Sequence, residues 1–153
     1  MNKLLVVLTI GCLGLSGCKQ KSAWLTDWPM AQAQARAEGK LVLLDYTGSD
    51  WCPGCILFHD EVAMSPEFAA YAKTNLVLME VDFPRKHPQP EALVKANAEL
   101  VGKFKIADAT GDFPLPTLLL VDSNGAELAR WQGYEPGSGA KPFIASLEKF
   151  KKQ

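Results

Sequence analysis

Three short and almost continuous apolar runs are the feature that most restricts how this chain can fold. They are KLVLLDY at residues 40–46, LVLMEVD at residues 76–82 and TLLLVD at residues 117–122. Each run has the length of one β-strand, and such continuous runs are typical of strands that are buried on both faces of a sheet. A fourth strand is expected at residues 126–132, after a tight turn at Asn124 and Gly125.

The segments between these runs have the patterns of helices. Helices are expected at residues 29–38, 53–63, 65–73, 91–104 and 141–151. Gly39 is a suitable stop for the first helix, and Ser65 is a suitable cap for the third. Strands that are joined through helices should run parallel, and the pair joined by the turn should run antiparallel. The order predicts an α/β domain with a central mixed four-stranded sheet and helices on both faces.

Composition limits the classes of function that the chain can have. Its 153 residues, of which 48% are hydrophobic and 22% charged, suit one globular domain better than a disordered chain. A net charge of -1 and the lack of a basic run give no reason to expect a nucleic-acid partner. No dimerisation segment is visible, so a monomer is expected.

The first 18 residues differ from the rest of the chain. After a short basic start, residues 4–15 are apolar apart from Thr9. This is about the length of the apolar region of a signal peptide, and it is too short to cross a bilayer comfortably. The LSGC sequence at residues 15–18 resembles the lipobox of bacterial lipoproteins. The alternative is an ordinary cleaved signal in which Cys18 is incidental.

The lipobox resemblance implies cleavage before Cys18 and acylation of that cysteine, with palmitate among the lipids. Residues 1–17 would then be the signal peptide, residues 18–23 a lipidated tether, and residues 24–153 the folded domain. Several acyl chains on one residue anchor a protein firmly. The domain would face the periplasm of the bacterial cell envelope, and Lys19 after the lipid site favours the outer membrane over the inner one.

Cys52 and Cys55 remain as thiols in the WCPGC motif at residues 51–55, because the lipobox removes Cys12 and modifies Cys18. A CxxC pair fits a redox centre, a metal site or a small structural bridge. A zinc site would have to recruit His59 and a histidine from a proline-rich loop, and no second CxxC is present, so no metal is expected. A bridge over so small a loop restricts the unfolded chain little, which disfavours a purely structural disulfide.

Disulfide exchange needs a thiolate, and the position of Cys52 favours one. Pro53 would open a helix directly after Cys52, and unpaired N–H groups at a helix N-terminus stabilise negative charge. We expect the pKa of Cys52 to be depressed, although not extremely, because Pro53 lacks an N–H donor and Gly54 has no side-chain donor. Cys52 is the candidate nucleophile. Cys55, one turn deeper, is the candidate resolving cysteine.

The element order, with WCxxC after the first long strand, resembles the thioredoxin fold and the thioredoxin-like thiol–disulfide proteins of the bacterial envelope. The resemblance covers about residues 28–150. It implies a cis bond before Pro116 that faces the cysteines, and a Leu115 backbone that pairs with an extended substrate. The candidate substrate groove then consists of Trp51, Pro53, Gly54, Leu115 and Pro116.

Two features depart from the thioredoxin pattern. Thioredoxins have a buried aspartate six residues before the first cysteine, whereas Asp45 lies seven residues before Cys52. Asp45 is therefore either a proton acceptor for Cys55 or an aspartate at the end of a strand that is bonded to backbone. The loop at residues 107–113 is also longer than its thioredoxin counterpart.

These observations predict an envelope thiol–disulfide oxidoreductase in which reduction is favoured over oxidation. Its substrates would be protein thiols and disulfides, and a membrane-spanning thiol reductase would supply electrons. The dithiol needs no further cofactor. The alternatives are a thioredoxin-fold binding module and a metal chaperone that uses Cys52 and Cys55.

Overall fold

The computed structural model describes residues 24–151, and it contains a mixed sheet with helices on both faces. The elements in chain order are β1 (Trp24–Leu25), α1 (Trp28–Glu38), β2 (Leu41–Thr47), α2 (Pro53–Phe58), a π-helical turn (His59–Ala63), α3 (Pro66–Asn75), β3 (Leu76–Asp82), α4 (Glu91–Lys103), β4 (Thr117–Val121), β5 (Glu127–Gln132) and α5 (Ala140–Glu148). The predicted α/β class is confirmed. The predicted signal peptide, the tether and the lipidation of Cys18 lie outside the described residues.

The sheet has five strands in the order β1-β3-β2-β4-β5, so the predicted count of four was one strand short. The additional strand is β1, which pairs parallel with β3 through Trp24 and Leu25. A strand of two residues is too short to show an alternating or continuous apolar pattern. Its existence depends on the exposed edge of β3, which only the folded sheet provides.

The predicted parallel pairing holds for β2 and β3 and is wrong for β4. Strands β2 and β3 run parallel along their whole length, whereas β4 is antiparallel to both β2 and β5. The reason lies in the path after α4. The ring of Phe83, which follows β3, contacts the ring of Phe113, which precedes β4, at a centroid distance of 5.1 Å. The chain therefore returns to the end of the sheet where β3 stops, and β4 runs back from there.

The core has two layers because side chains alternate across the buried strands. One face of β2, with Val42, Leu44 and Tyr46, packs against α1 and α4. The other face, with Leu43, packs against α2, the π-helical turn, α3 and α5. Burying each of the valine and leucine side chains contributes roughly 1.5–3 kcal/mol. The second layer holds the helix that carries the CxxC motif against the sheet.

Capping residues fix where several helices begin and end. The hydroxyl oxygen of Ser65 accepts a hydrogen bond from the N–H of Phe68 at 3.1 Å, as its predicted role as a cap requires. Gly39 ends α1 in the left-handed conformation, with φ of 66°. The predicted helix at residues 53–63 is divided, because its second half is the π-helical turn. Within residues 24–151, no helix is both long and apolar enough to cross a membrane.

Candidate active site

Cys52 lies where the chain leaves β2 and enters α2. It is the N-cap of α2, with extended backbone angles that suit a residue before proline. Its sulfur accepts a hydrogen bond from the N–H of Cys55 at 3.3 Å. Pro53 begins the helix, and its missing N–H leaves no donor unpaired at that position. The N-terminus of α2 therefore directs a backbone donor at the outer sulfur.

Cys52 and Cys55 form a disulfide, and their Cα atoms are 5.3 Å apart. Both residues are largely buried, with 5% of Cys52 and 2% of Cys55 exposed. The N–H of Gly48 donates a hydrogen bond to the Cys55 sulfur at 3.4 Å. The structure therefore represents the oxidised state of the pair, in which Cys52 is slightly more exposed than Cys55.

Pro116 packs against the first turn of α2. The Leu115–Pro116 peptide bond is cis, which is the geometry that the thioredoxin resemblance implies. A Cβ atom placed on Gly54 would lie 3.3 Å from Cδ of Pro116, so the two backbones approach closely. The carbonyl of Pro116 accepts a hydrogen bond from the N–H of Gly133 at 2.8 Å. The structure thus brings Pro53, Gly54 and Pro116 together beside the disulfide.

Asp45 is buried on the α2 side of the sheet. Only 7% of the residue is exposed, and it lies two positions from Leu43, which packs against α2. Burial, together with the nearby charges of Glu80 and Asp82, raises the pKa of Asp45 to about 8. Its Oδ1 has no hydrogen-bond partner among residues 24–151. The structure thus places a buried and incompletely hydrogen-bonded carboxyl group on this side of the sheet.

The loop that precedes Cys52 is attached to the end of β3. The N–H and hydroxyl of Ser49 donate to the Asp82 carboxylate at 2.9 and 2.6 Å. The indole N–H of Trp51 donates to the carbonyl of Phe83 at 2.7 Å. A Cβ atom on Gly48 would lie 2.6 Å from the Trp51 ring, so only glycine leaves room for the indole there. The loop and the indole are therefore fixed next to the disulfide.

Asp50 and Arg85 complete this attachment, and sequence reasoning missed both. The Asp50 carboxylate accepts hydrogen bonds from the consecutive N–H groups of residues 85–87, at 2.9, 2.7 and 3.2 Å. The guanidinium carbon of Arg85 lies 3.4 Å from the centroid of the Trp51 ring. The sequence feature that could have indicated this attachment is the additional residue that residues 47–50 contain relative to the thioredoxin pattern.

The residues of the alternative zinc site are not brought together. His59 lies on the exposed surface of the π-helical turn, where its Nδ1 is 3.1 Å from Oδ1 of Asp60. His87 lies in the exposed loop between β3 and α4. In the part of the chain that the structure describes, no three His, Cys, Asp or Glu side chains are grouped so that they could hold a metal ion.

Comparison with known proteins gives consistent results. A family model described as a thioredoxin-like domain matches residues 28–151. The chain is 41% identical over 110 residues to the disulfide bond reductase DsbH of Chlamydia pneumoniae, an alignment that covers 72% of this chain and 62% of the relative. It is 30% identical over 107 residues to the thioredoxin-related protein DsbJ of the same organism, covering 70% of this chain and 29% of that one.

The fold is also found in solved structures. A structure of a DsbH oxidoreductase superposes with a TM-score of 0.71 and 34% identity, over 82% of this chain and 81% of that one. The C-terminal domain of DsbD from Neisseria meningitidis superposes with a TM-score of 0.55 and 19% identity, over 80% and 91% of the two chains. The chain spans about three fifths of the length of its curated DsbH relative and under a third of DsbJ.

Proposed function

The chain belongs to the thioredoxin-like family, and we propose on this premise that it is a thiol–disulfide oxidoreductase that acts mainly as a reductase. The observation that carries the proposal is the Cys52–Cys55 disulfide at the N-terminus of α2, packed beside Pro116. The direction of reaction is supported by the 41% identical relative, which is named a disulfide bond reductase.

The reaction starts from the reduced pair. The Cys52 thiolate attacks one sulfur of a substrate disulfide, forms a mixed disulfide and releases the first substrate thiolate. The Cys55 thiol then loses its proton and attacks the Cys52 sulfur, which releases the second substrate thiolate. The substrate has gained two electrons, and the enzyme is left in the oxidised state that the structure describes.

Local contacts support this division of roles. The N–H of Cys55 lies 3.3 Å from the Cys52 sulfur and would stabilise a thiolate there. Cys55 is deeper, and Asp45 lies on the sheet face that the helix covers. With a pKa of about 8, Asp45 would accept the Cys55 proton in the pH range in which thiols ionise. The substrate groove would be bordered by Trp51, Pro53, Gly54, Leu115 and Pro116.

The cellular setting forms part of the proposal. The lipobox-like sequence supports a chain that is anchored through Cys18 and faces the periplasm, preferentially at the outer membrane. Each turnover oxidises the dithiol, so a donor must return two electrons. Outside the cytoplasm, a membrane-spanning thiol reductase could supply them. A Cys18→Ser chain should lose incorporation of labelled palmitate and keep its reductase activity in detergent.

Reduction of insulin disulfides tests the proposed activity. A Cys52→Ser variant should lose the activity and trap no partner, whereas Cys55→Ser should accumulate mixed disulfides. Full activity in the Cys52→Ser variant would contradict the proposed role of Cys52, whereas a wild-type protein that reduces no insulin would leave a docking module as the better description. The reduction potential of the pair against glutathione tests the direction separately, since a value as oxidising as roughly -120 mV would indicate disulfide formation.

A further inference from the structure

Arg85 lies against Trp51, the residue that precedes the nucleophilic cysteine. It lies in the loop between β3 and α4, and its guanidinium carbon is 3.4 Å from the centroid of the Trp51 ring. This distance is typical of a cation stacked on an aromatic face. Trp51 immediately precedes Cys52, so the guanidinium borders the surface that a substrate disulfide must approach.

The position of Arg85 is fixed from two sides. The Asp50 carboxylate holds the three N–H groups of residues 85–87, and the indole N–H of Trp51 holds the carbonyl of Phe83. These bonds tie the motif loop to both sides of Pro84. The loop therefore presents the Arg85 side chain at a set place and does not leave it to move freely over the surface.

Apart from the stacking of Arg85 on Trp51, this cationic segment makes little use of its charge within the described domain. Arg85, Lys86 and His87 are all exposed. Among the described carboxylates, none forms a salt bridge with Arg85 or Lys86. Asp50 lies close, but three backbone donors already bind its carboxylate, which holds the pKa of Asp50 below its usual value. A stacked guanidinium keeps N–H donors along its edge, and these can bind a carboxylate in a bidentate manner.

The acidic side chains on the neighbouring loop do not neutralise the segment. The Oδ1 atom of Asp108 accepts hydrogen bonds from the N–H and hydroxyl of Thr110 and from the N–H of Asp112. Asp112 in turn contacts the same hydroxyl at 3.3 Å. Both carboxylates thus serve the structure of their own loop, and the cationic segment beside Trp51 remains available to a partner.

We propose that Arg85, assisted by Lys86, selects protein disulfides that have aspartate or glutamate next to the reactive cysteine. This inference rests on the proposed reductase function. A substrate carboxylate would bind the edge of the guanidinium while the adjacent sulfur meets Cys52. The stacked Trp51 ring would keep that edge oriented, so the residue would determine substrate preference without taking part in sulfur chemistry.

Matched disulfide peptides test this preference. Two peptides with the same length and the same disulfide, but with either glutamate or lysine on each side of the cysteines, are mixed with the reduced full-length protein. The wild-type protein should reduce the glutamate peptide about three- to tenfold faster at low salt, and the ratio should approach one in roughly 0.5 M salt. Arg85→Gln should abolish most of the ratio, and Arg85→Glu should reverse it.

Lys149→Glu is the matched control for Arg85→Glu, because both substitutions replace a cation by an anion. Lys149 is exposed and directly follows α5. It lies close to Lys151, which shares a cavity with Leu41 and Leu76 at the starts of β2 and β3, away from the motif. The control should keep the wild-type preference. Circular dichroism of each variant verifies that the fold is retained.

The outcomes separate the inference from the proposed function. Equal rates for both peptides with the wild-type protein would overturn the inference and leave the reductase function intact. A folded Arg85→Gln variant that loses the same factor on both peptides would also overturn it, because Arg85 would then only support Trp51. Failure of the wild-type protein to reduce either peptide would contradict the proposed function itself.

Discussion

Replacing Asp45 by asparagine should make the protein more stable at neutral and alkaline pH. The carboxyl group is buried, its Oδ1 lacks a hydrogen-bond partner among the described residues, and Glu80 and Asp82 lie close enough to repel its charge. Folding therefore favours the neutral acid, and asparagine is a neutral side chain of similar shape. Above the pH at which the carboxyl group ionises in the unfolded chain, keeping it buried and neutral costs free energy. The substitution removes this cost.

The magnitude follows from the pKa of about 8 in the folded protein and 3.8 as the ordinary value. Below pH 3.8 both states hold the proton, so Asp45 has no effect on stability. Between these values only the unfolded state ionises, so the free energy of unfolding falls by about 1.36 kcal/mol per pH unit. The loss is about 3 kcal/mol at pH 6 and reaches about 6 kcal/mol above pH 8. This loss is a large fraction of the free energy of unfolding of a typical domain.

Urea unfolding of the oxidised protein at pH 4, 6 and 9 measures this effect. The Asp45→Asn variant should match the wild type at pH 4 and exceed it increasingly at pH 6 and 9. Asp108→Asn is a control of opposite sign, because the Thr110 side chain and nearby N–H groups lower the pKa of Asp108. It should reduce stability near neutrality, and the loss should fade as the pH falls through the Asp108 pKa. A constant difference between Asp45→Asn and wild type at all pH values would refute the argument.

Four further substitutions test other parts of the structure. Gly48→Ala should slow insulin reduction, because its Cβ would lie 2.6 Å from the Trp51 ring and displace it. Ser65→Ala removes the hydroxyl that caps α3 and should cost about 1 kcal/mol in urea unfolding. Leu119→Ala, at a fully buried site, should cost about 2–5 kcal/mol, whereas Leu128→Ala, at a site 38% exposed, should cost far less.

The buried strands could be predicted from the sequence because each consists mostly of consecutive apolar residues. The run at residues 76–82 coincides with β3. The run at 40–46 is displaced by one residue from β2, and the run at 117–122 extends one residue beyond β4. Strand β1 and the direction of β4 could not be predicted in this way. Strand β1 depends on the free edge of β3, and the direction of β4 depends on the path of the chain after α4. Neither produces a local pattern of apolar residues in the sequence.

The candidate site likewise has parts that the sequence predicts and parts that it does not. The positions of Cys52, Cys55 and Pro116 follow from short motifs in a particular order of elements, and the structure places all three together. The attachment of Asp50 to residues 85–87 joins segments 35 to 37 residues apart. Polar loop residues have many possible partners of this kind, so their pairing becomes visible only when the two loops meet in the folded protein.

Because Trp51 is fixed next to the disulfide, its fluorescence should report whether the cysteine pair is oxidised or reduced. A disulfide quenches light emission from a neighbouring indole by accepting an electron from the excited ring, and the bond to the Phe83 carbonyl prevents the ring from turning away. The other tryptophans, Trp24, Trp28 and Trp131, pack within the two hydrophobic layers. Fluorescence should therefore brighten when the pair is reduced, and a fluorimeter could follow each turnover without an added dye.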